Sequence, residues 1–443
     1  MGTTIRVVSG WRIGAAMIAA AGLAMAAGAA RAQPWVLHTV IEPPVLPDVD
    51  PADQMAFGSA VSVGAVPWLV VGATRADCAA VSGGGVVTDA GRIFIYRRVS
   101  GVWQFRQSFC SSAPLQDARY GSSVDIGDSW MIVGAPGATV NSSGRVELFR
   151  LDAATQQWSR QLGVVGASSG HLGHGVAIDG TLAVAGEPGY NGARGRLRSW
   201  KLSGSTITAQ PHYAPLGLFE NDNFGYRVGL HSDGCELPAC TSYTDVVAGL
   251  SNSRVYVAKR TTTGWQSSQS IVPPVGARFA GALDLGHHQV VASLVVDTAS
   301  PAIGCPVGDA VRVYFRTGGS FASVGDVCQA PTNELPFGTA VAVERGTSAF
   351  FVSSPDTGAL GSTPLTQPGS VGMFDAHPPV TFIESVQELG LAPTGPAGID
   401  RYNDAFGASV SQFSSYLAVG APWSHVYFGT PGIGYVAIYK DCC

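Results

Sequence analysis

The sequence predicts an all-β fold, a seven-bladed β-propeller of four-stranded antiparallel blades. Three observations lead there. The first is a phrase that returns seven times, an aromatic or apolar residue, usually followed by Gly, then a Val-rich stretch. It begins at Phe57, Tyr120, Leu172, Phe224, Phe279, Phe337 and Phe406, at intervals of 52 to 69 residues, and self-similarity at a steady period marks a repeat architecture. The second is composition. Only 13% of residues are charged, while Gly and Pro number 57 and 27, which fits many short strands joined by tight turns. The third is a strand that the last repeat lacks and the N-terminus supplies.

Repeat two shows the unit. Tyr120 to Ile126 alternates as a strand, and Gly127-Asp128 makes a hairpin turn. Trp130 to Val133 is an apolar run ending in Gly134-Ala135-Pro136. A loop through Asn141-Ser142-Ser143-Gly144 leads to a third strand, Arg145 to Arg150, and a fourth, Trp158 to Leu162. Four antiparallel strands per repeat make one propeller blade, so apolar layers are expected between blades in place of one central core.

The last repeat contains three strands, Phe406 to Phe413, Tyr416 to Gly420 and Gly434 to Lys440. The segment Trp35-Val36-Leu37-His38-Thr39-Val40-Ile41-Glu42-Pro43-Pro44 parallels the fourth strand of repeat four, Trp265 to Pro274. Residues 34–43 are therefore expected to complete blade seven. That closure leaves no long exposed strand edge.

Residues 1–32 read as a secretory signal peptide. Arg6 and Arg12 precede an apolar run from Ile13 to Ala30, and Ala30-Arg31-Ala32 matches a small-residue cleavage site. The mature chain, residues 33–443, is expected to be one propeller domain with no membrane span. The chain carries 26 basic against 31 acidic residues, and Arg6, Arg12 and Arg31 leave with the signal. This balance argues against nucleic acid as a partner. The expected location is secreted or periplasmic, and the expected state is a monomer.

Eight Cys in an exported chain read as disulfides. Cys78 follows the second strand of repeat one and Cys110 ends its fourth. Cys305 and Cys328 hold the same two places in repeat five, and the shared register predicts Cys78–Cys110 and Cys305–Cys328. Cys235–Cys240 would close a small loop in repeat four, which leaves Cys442 and Cys443 at the terminus.

The pairing of Phe-Gly on the first strand with Gly-Ala-Pro after the second resembles the FG-GAP repeat of integrin alpha-subunit propellers and bacterial secreted proteins. The second half reads Gly72-Ala73-Thr74, Gly134-Ala135-Pro136, Gly186-Glu187-Pro188, Gly249-Leu250-Ser251, Ser353-Ser354-Pro355 and Gly420-Ala421-Pro422, while repeat five has Ala292-Ser293. The resemblance spans nearly all of the mature chain. It implies a seven-bladed propeller and raises adhesion and calcium as questions. Integrin-type blades place an Asp-rich loop between their first two strands, and Ca²⁺ takes hard oxygen ligands. Only repeat four has a long connection there. Asp233 and Asp245 resemble remnants of the motif but the ligands between them are missing, so no cofactor is expected.

Loops joining strands two and three, and loops joining successive blades, share one face, here called upper. Loops carry binding more often than scaffolds do. Trp423, His425, Tyr427 and Phe428 cluster in such a loop of repeat seven and are the candidate ligand-binding residues, since Trp and Tyr are frequent anchors. Asp53, Asp117, Asp222, Asp404 and Glu334 precede the inner strands, where turn capping explains Asp; Arg119, Arg278 and Arg401 lie close by.

Enzyme signals are few. Gly166-Ala167-Ser168-Ser169-Gly170 matches a nucleophile elbow but falls in an inter-blade linker, and that chemistry needs a strand-turn-helix. His171, His174, His287 and His288 have no acidic or Cys companions at metal-ligand spacing. Asp125, Asp179 and Asp284 sit in or beside hairpin turns. The reading is a secreted, non-catalytic binding or adhesion module that recognises a protein or glycan through upper-face loops. The alternative is an extracellular glycosidase or lyase with a composite site in the central funnel.

Overall fold

The computed structural model describes residues 35–46, 55–64, 68–81, 84–138, 141–232, 245–298, 303–317, 320–329, 336–344, 347–355, 369–387, 405–422 and 434–441. Seven four-stranded antiparallel sheets make the molecule. Blade one pairs Phe57–Val63, Trp68–Ala73, Arg92–Val99 and Val102–Cys110 in that order. Blades two to six repeat this simple up-and-down order, starting at Ser123, Val176, Arg227, Ala277 and Val341. Blade seven is built from Ser409–Phe413, Tyr416–Ala421 and Tyr435–Asp441, and its fourth strand is Trp35–Ile41. Trp35 stands opposite Asp441 and Ile41 opposite Val436. The N-terminal strand therefore closes the ring, as expected.

Seven apolar clusters hold the ring together, one at each blade junction. The seven repeat-opening residues, Phe57, Tyr120, Leu172, Phe224, Phe279, Phe337 and Phe406, are all buried in them. Trp35 anchors the closing strand: its ring meets Phe351 edge-on at 5.7 Å and its Nε1 donates to Met373 Sδ at 3.2 Å.

The repeated glycines have one physical cause. Gly121 adopts φ +85°, which L side chains avoid. A Cβ on Gly72 of the preceding blade would collide with the Gly121 carbonyl oxygen. The first-strand and second-strand glycines of neighbouring blades thus touch backbone to backbone, and the pairs Gly173/Gly134, Gly225/Gly186 and Gly58/Gly420 repeat the contact. This conformation interrupts strand pairing: the first strand of blade two begins at Ser123 and not at Tyr120, and in blade one the register shifts between Phe57 and Ala60. Blade five carries Ala280 in place of the glycine. There the register slips between Phe279 and Leu283, and Ser293 Oγ takes over, accepting from Ala282 N at 2.8 Å. Blade six does the same with Ser353 Oγ and Ala340 N at 2.9 Å.

A polar latch crosses every junction near the axis. Val63 N donates to Ser411 Oγ at 3.0 Å, Ile126 N to Ser62 Oγ at 3.2 Å and Ile178 N to Asp125 Oδ2 at 2.8 Å. Ser232 N donates to Asp179 Oδ2 at 2.9 Å, and His231 Nε2 meets His287 Nδ1 at 2.8 Å. Val343 N donates to Asp284 Oδ2 at 2.8 Å and Gln412 Nε2 to Glu344 Oε1 at 2.9 Å. The turn reading of Asp125, Asp179 and Asp284 thus misses their inter-blade role.

Disulfides Cys78–Cys110 and Cys305–Cys328 are formed. Cys235, Cys240, Cys442 and Cys443 lie outside the described residues. No described helix is long and apolar enough to cross a membrane.

Candidate functional site

The seven innermost strands surround a channel of about 250 Å³ on the axis. Over blades two to four its upper mouth widens into a cleft of about 860 Å³, lined by inter-blade linkers and second-to-third-strand loops. Its wall includes Asp117, Arg119, His171, His174, Asn223 and Tyr226.

Comparison of the repeats separates scaffold from site. The residue after the repeat glycine is Ser59, Ser122, Gly281, Thr339 or Ala408 in five blades, but His174 in blade three and Tyr226 in blade four. One position further on, six blades have Ala60, Ser123, Gly175, Ala282, Ala340 and Ser409, and blade four alone has Arg227. Small residues at these places keep the mouth open. Three large side chains therefore enter it from two adjacent blades, and they contact one another. The His174 and Tyr226 rings lie 4.0 Å apart, and the Arg227 guanidinium sits 4.9 Å from the Tyr226 ring centre.

Polar contacts tie the three side chains together. Arg227 Nη1 lies 3.1 Å from His174 Nδ1. A guanidinium donates and a carbonyl oxygen accepts, and the Tyr226 carbonyl oxygen lies at the same 3.1 Å from Nδ1, so Nδ1 stands between a donor and an acceptor. Burial, and then the neighbouring Arg227, push His174 down to about 4, so it is neutral near pH 7. Arg227 also donates to the Tyr226 carbonyl oxygen at 3.3 Å. Burial lowers the Arg227 guanidinium from its ordinary value. No carboxylate lies within ion-pair distance of it among the described residues, whereas Arg160, Arg196 and Arg312 pair with Glu147, Glu187 and Asp326.

The rim is polar and held by backbone. Asn223 Nδ2 and Asn252 Nδ2 both donate to the Asn221 carbonyl oxygen, at 2.9 and 2.7 Å, which turns each Oδ1 away from that bond. His171 Nδ1 donates to the Pro136 carbonyl oxygen at 3.3 Å. Arg119, His171 and Asn223 each precede the repeat aromatic with positive φ, and Ala56 and Ala405 occupy the same place in blades one and seven. The backbone form belongs to the scaffold; its polar decoration belongs to blades two to four.

The residues singled out from sequence distribute as follows. Trp423, His425, Tyr427 and Phe428 lie outside the described residues, as do Asp53, Asp233, Glu334, Arg401 and Asp404. Asp245 opens the second strand of blade four. Asp222 caps a turn, accepting from Phe219 N at 2.8 Å, whereas Asp117 lines the cleft. Arg278 is 3.4 Å from Asp297. The Gly166–Gly170 segment is a linker latched to buried Glu187 through Ala167 N, with no strand-turn-helix around it. His287 and His288 occupy the lower hairpin of blade five, the His288 ring stacked on Phe315 at 5.9 Å. Among the described residues no group of three His, Cys, Asp or Glu is placed to hold a metal ion.

Fold and site together define a seven-bladed β-propeller with a polar, aromatic cleft at its upper mouth. No family model and no curated protein matches the chain. Solved structures do. A protein from Lactobacillus plantarum is 11% identical with TM-score 0.47, over 74% of this chain and 84% of that one. Sqt1 of Saccharomyces cerevisiae is 11% identical with TM-score 0.44, over 88% and 97%. A putative 6-phosphogluconolactonase from Bacteroides uniformis is 11% identical with TM-score 0.44, over 84% and 92%.

Proposed function

We propose that this chain is an exported, non-catalytic binding propeller of the FG-GAP type, processed after Ala32, that takes an extracellular protein or glycan into the upper cleft over blades two to four. The carrying observation is the insertion of His174, Tyr226 and Arg227 into a ring of otherwise small residues. A rigid scaffold presenting an exposed aromatic ring among fixed polar groups has the composition of a recognition site. The two disulfides fit an oxidising compartment.

The channel carboxylates favour binding over catalysis. Among the described residues only Asp125 and Asp284 line it. Asp125 accepts from Ser62 Oγ, Ile126 N and Ile178 N, and Asp284 from Leu285 N and Val343 N. Carboxylates saturated by fixed donors are poor proton carriers.

The test is binding of purified residues 33–443 to an array of glycans and matrix proteins, with calcium and then with chelator, alongside Tyr226→Ala and Trp423→Ala. A chelator-insensitive hit lost in Tyr226→Ala is expected. A hit lost only in Trp423→Ala would move the site to blade seven. A hit abolished by chelator would contradict the metal-free reading.

A further inference from the structure

The channel mouth beneath the same cleft carries a guanidinium, Arg227, with no carboxylate within ion-pair distance among the described residues. Arg227 stands on the innermost strand of blade four, at a repeat position that is Ala, Ser or Gly in the other six blades. It is partly buried, and its described partners are the His174 imidazole, the Tyr226 carbonyl oxygen and the Tyr226 ring. A guanidinium removed from bulk water and left without a counter-charge is costly unless something anionic completes it. His174 stands at the same mouth, and its neutral ring adds no charge there. The other titratable groups on the cleft are Arg119, His171 and Asp117, and the channel below is lined by Asp125 and Asp284, both held by their own donors. Asp117 is exposed on the linker before blade two, across the cleft from the Arg227 strand.

We infer that the ligand of this cleft is an acidic oligosaccharide whose uronic carboxylate enters the channel mouth and takes a two-pronged hydrogen bond from Arg227. The inference rests on the reading of the cleft as the binding site. A carboxylate fits the planar fork of Arg. The saccharide part follows from the rest of the wall. Tyr226 is 36% exposed, which leaves part of its ring to meet the apolar C–H groups of a sugar. Asn223, Asn252 and Gln116 are planar polar groups suited to hydroxyls. A cleft of about 860 Å³ lies within the range of small-ligand sites.

Trigalacturonate, its methyl-esterified form and a Glu-rich peptide are the probes, titrated by calorimetry into residues 33–443 and into Arg227→Gln and Arg227→Lys. Melting curves of each variant confirm folding. Trigalacturonate is expected to bind, and its methyl ester roughly 10- to 100-fold more weakly, the loss of one charged hydrogen-bonded pair. Arg227→Gln should erase that difference, and Arg227→Lys should restore part of it. Equal affinity for acid and ester, or discrimination kept in Arg227→Gln, overturns the inference and leaves cleft binding intact. Binding of the Glu-rich peptide in place of trigalacturonate overturns the saccharide class. Failure of all three probes while array hits still depend on Tyr226 overturns the inference alone; failure of those hits as well overturns the reading beneath it.

Discussion

Single positions in this chain divide into those that close blades and those that face a ligand, and substitution should separate them. Gly72 meets the Gly121 carbonyl oxygen with no room for a side chain. Gly72→Ala is therefore expected to cost about 3 kcal/mol or more, because both neighbours are backbone and cannot rotate away. Urea denaturation measures it, and a loss under about 1 kcal/mol would show that the blade contact yields. His174 makes a different prediction, in pH. Its value falls from 6.5 unfolded to about 4 folded, so the unfolded chain takes the proton first. Its contribution to stability should be level above pH 6.5 and decline as pH falls to about 4, by about 3 kcal/mol. His174→Gln should remove that decline; an unchanged pH profile would contradict it. The scaffold role was legible in the sequence because each Phe-Gly recurs. The site role was missed, since Tyr226 and Arg227 look like ordinary residues until aligned against Ser59-Ala60 and Ala408-Ser409 of other repeats.

Strands and their latches are the next scale. The closing strand Trp35–Ile41 buries Trp35 and Ile41 and covers the edge of Tyr435–Asp441. Deleting residues 34–43 should lower the melting midpoint by roughly 10 °C or more, since it opens an edge and strips two apolar anchors. An unchanged melting curve would refute the closure. Glu384 guards the same seam, accepting from Trp35 N at 3.4 Å. Burial raises it to about 7, with Asp441 adding to the rise. A raised acid favours the folded state when protonated, so its contribution is full below about pH 4.5 and fades as pH rises through about 7. Glu384→Gln should thus be more stable than the parent at pH 8 and similar at pH 4; the opposite order of thermal midpoints would exclude this. Blade order and the two disulfides were readable from spacing. The latches were not, because Asp125 and Ile178 are brought together only by ring closure, and a hairpin Asp looks complete within its own turn.

At the scale of the molecule, the ring turns seven similar units into one asymmetric surface. Small residues around the upper mouth are what the repeat requires. Blades three and four depart from that pattern at three adjoining places and build a cleft without disturbing the glycine contacts beneath it. The sequence points to the upper face through its loops, and it places aromatic interest in Trp423 to Phe428 of blade seven, which lie outside the described residues. The described geometry gathers its chemistry over blades two to four. Loop composition advertises aromatics that stand together in the chain, whereas His174 and Tyr226 lie one repeat apart and meet only through the propeller's rotation.

The most direct test of this account is to return the site to the repeat pattern. The triple variant His174→Ser, Tyr226→Thr, Arg227→Ala replaces each large side chain with a type that other blades carry at the same place. Melting and array binding are then measured on the same preparation. The account predicts a midpoint within about 3 °C of the parent, because scaffold contacts are untouched, together with loss of the array hits. A folded variant that keeps every hit, or one that unfolds at room temperature, would contradict the division between scaffold and site.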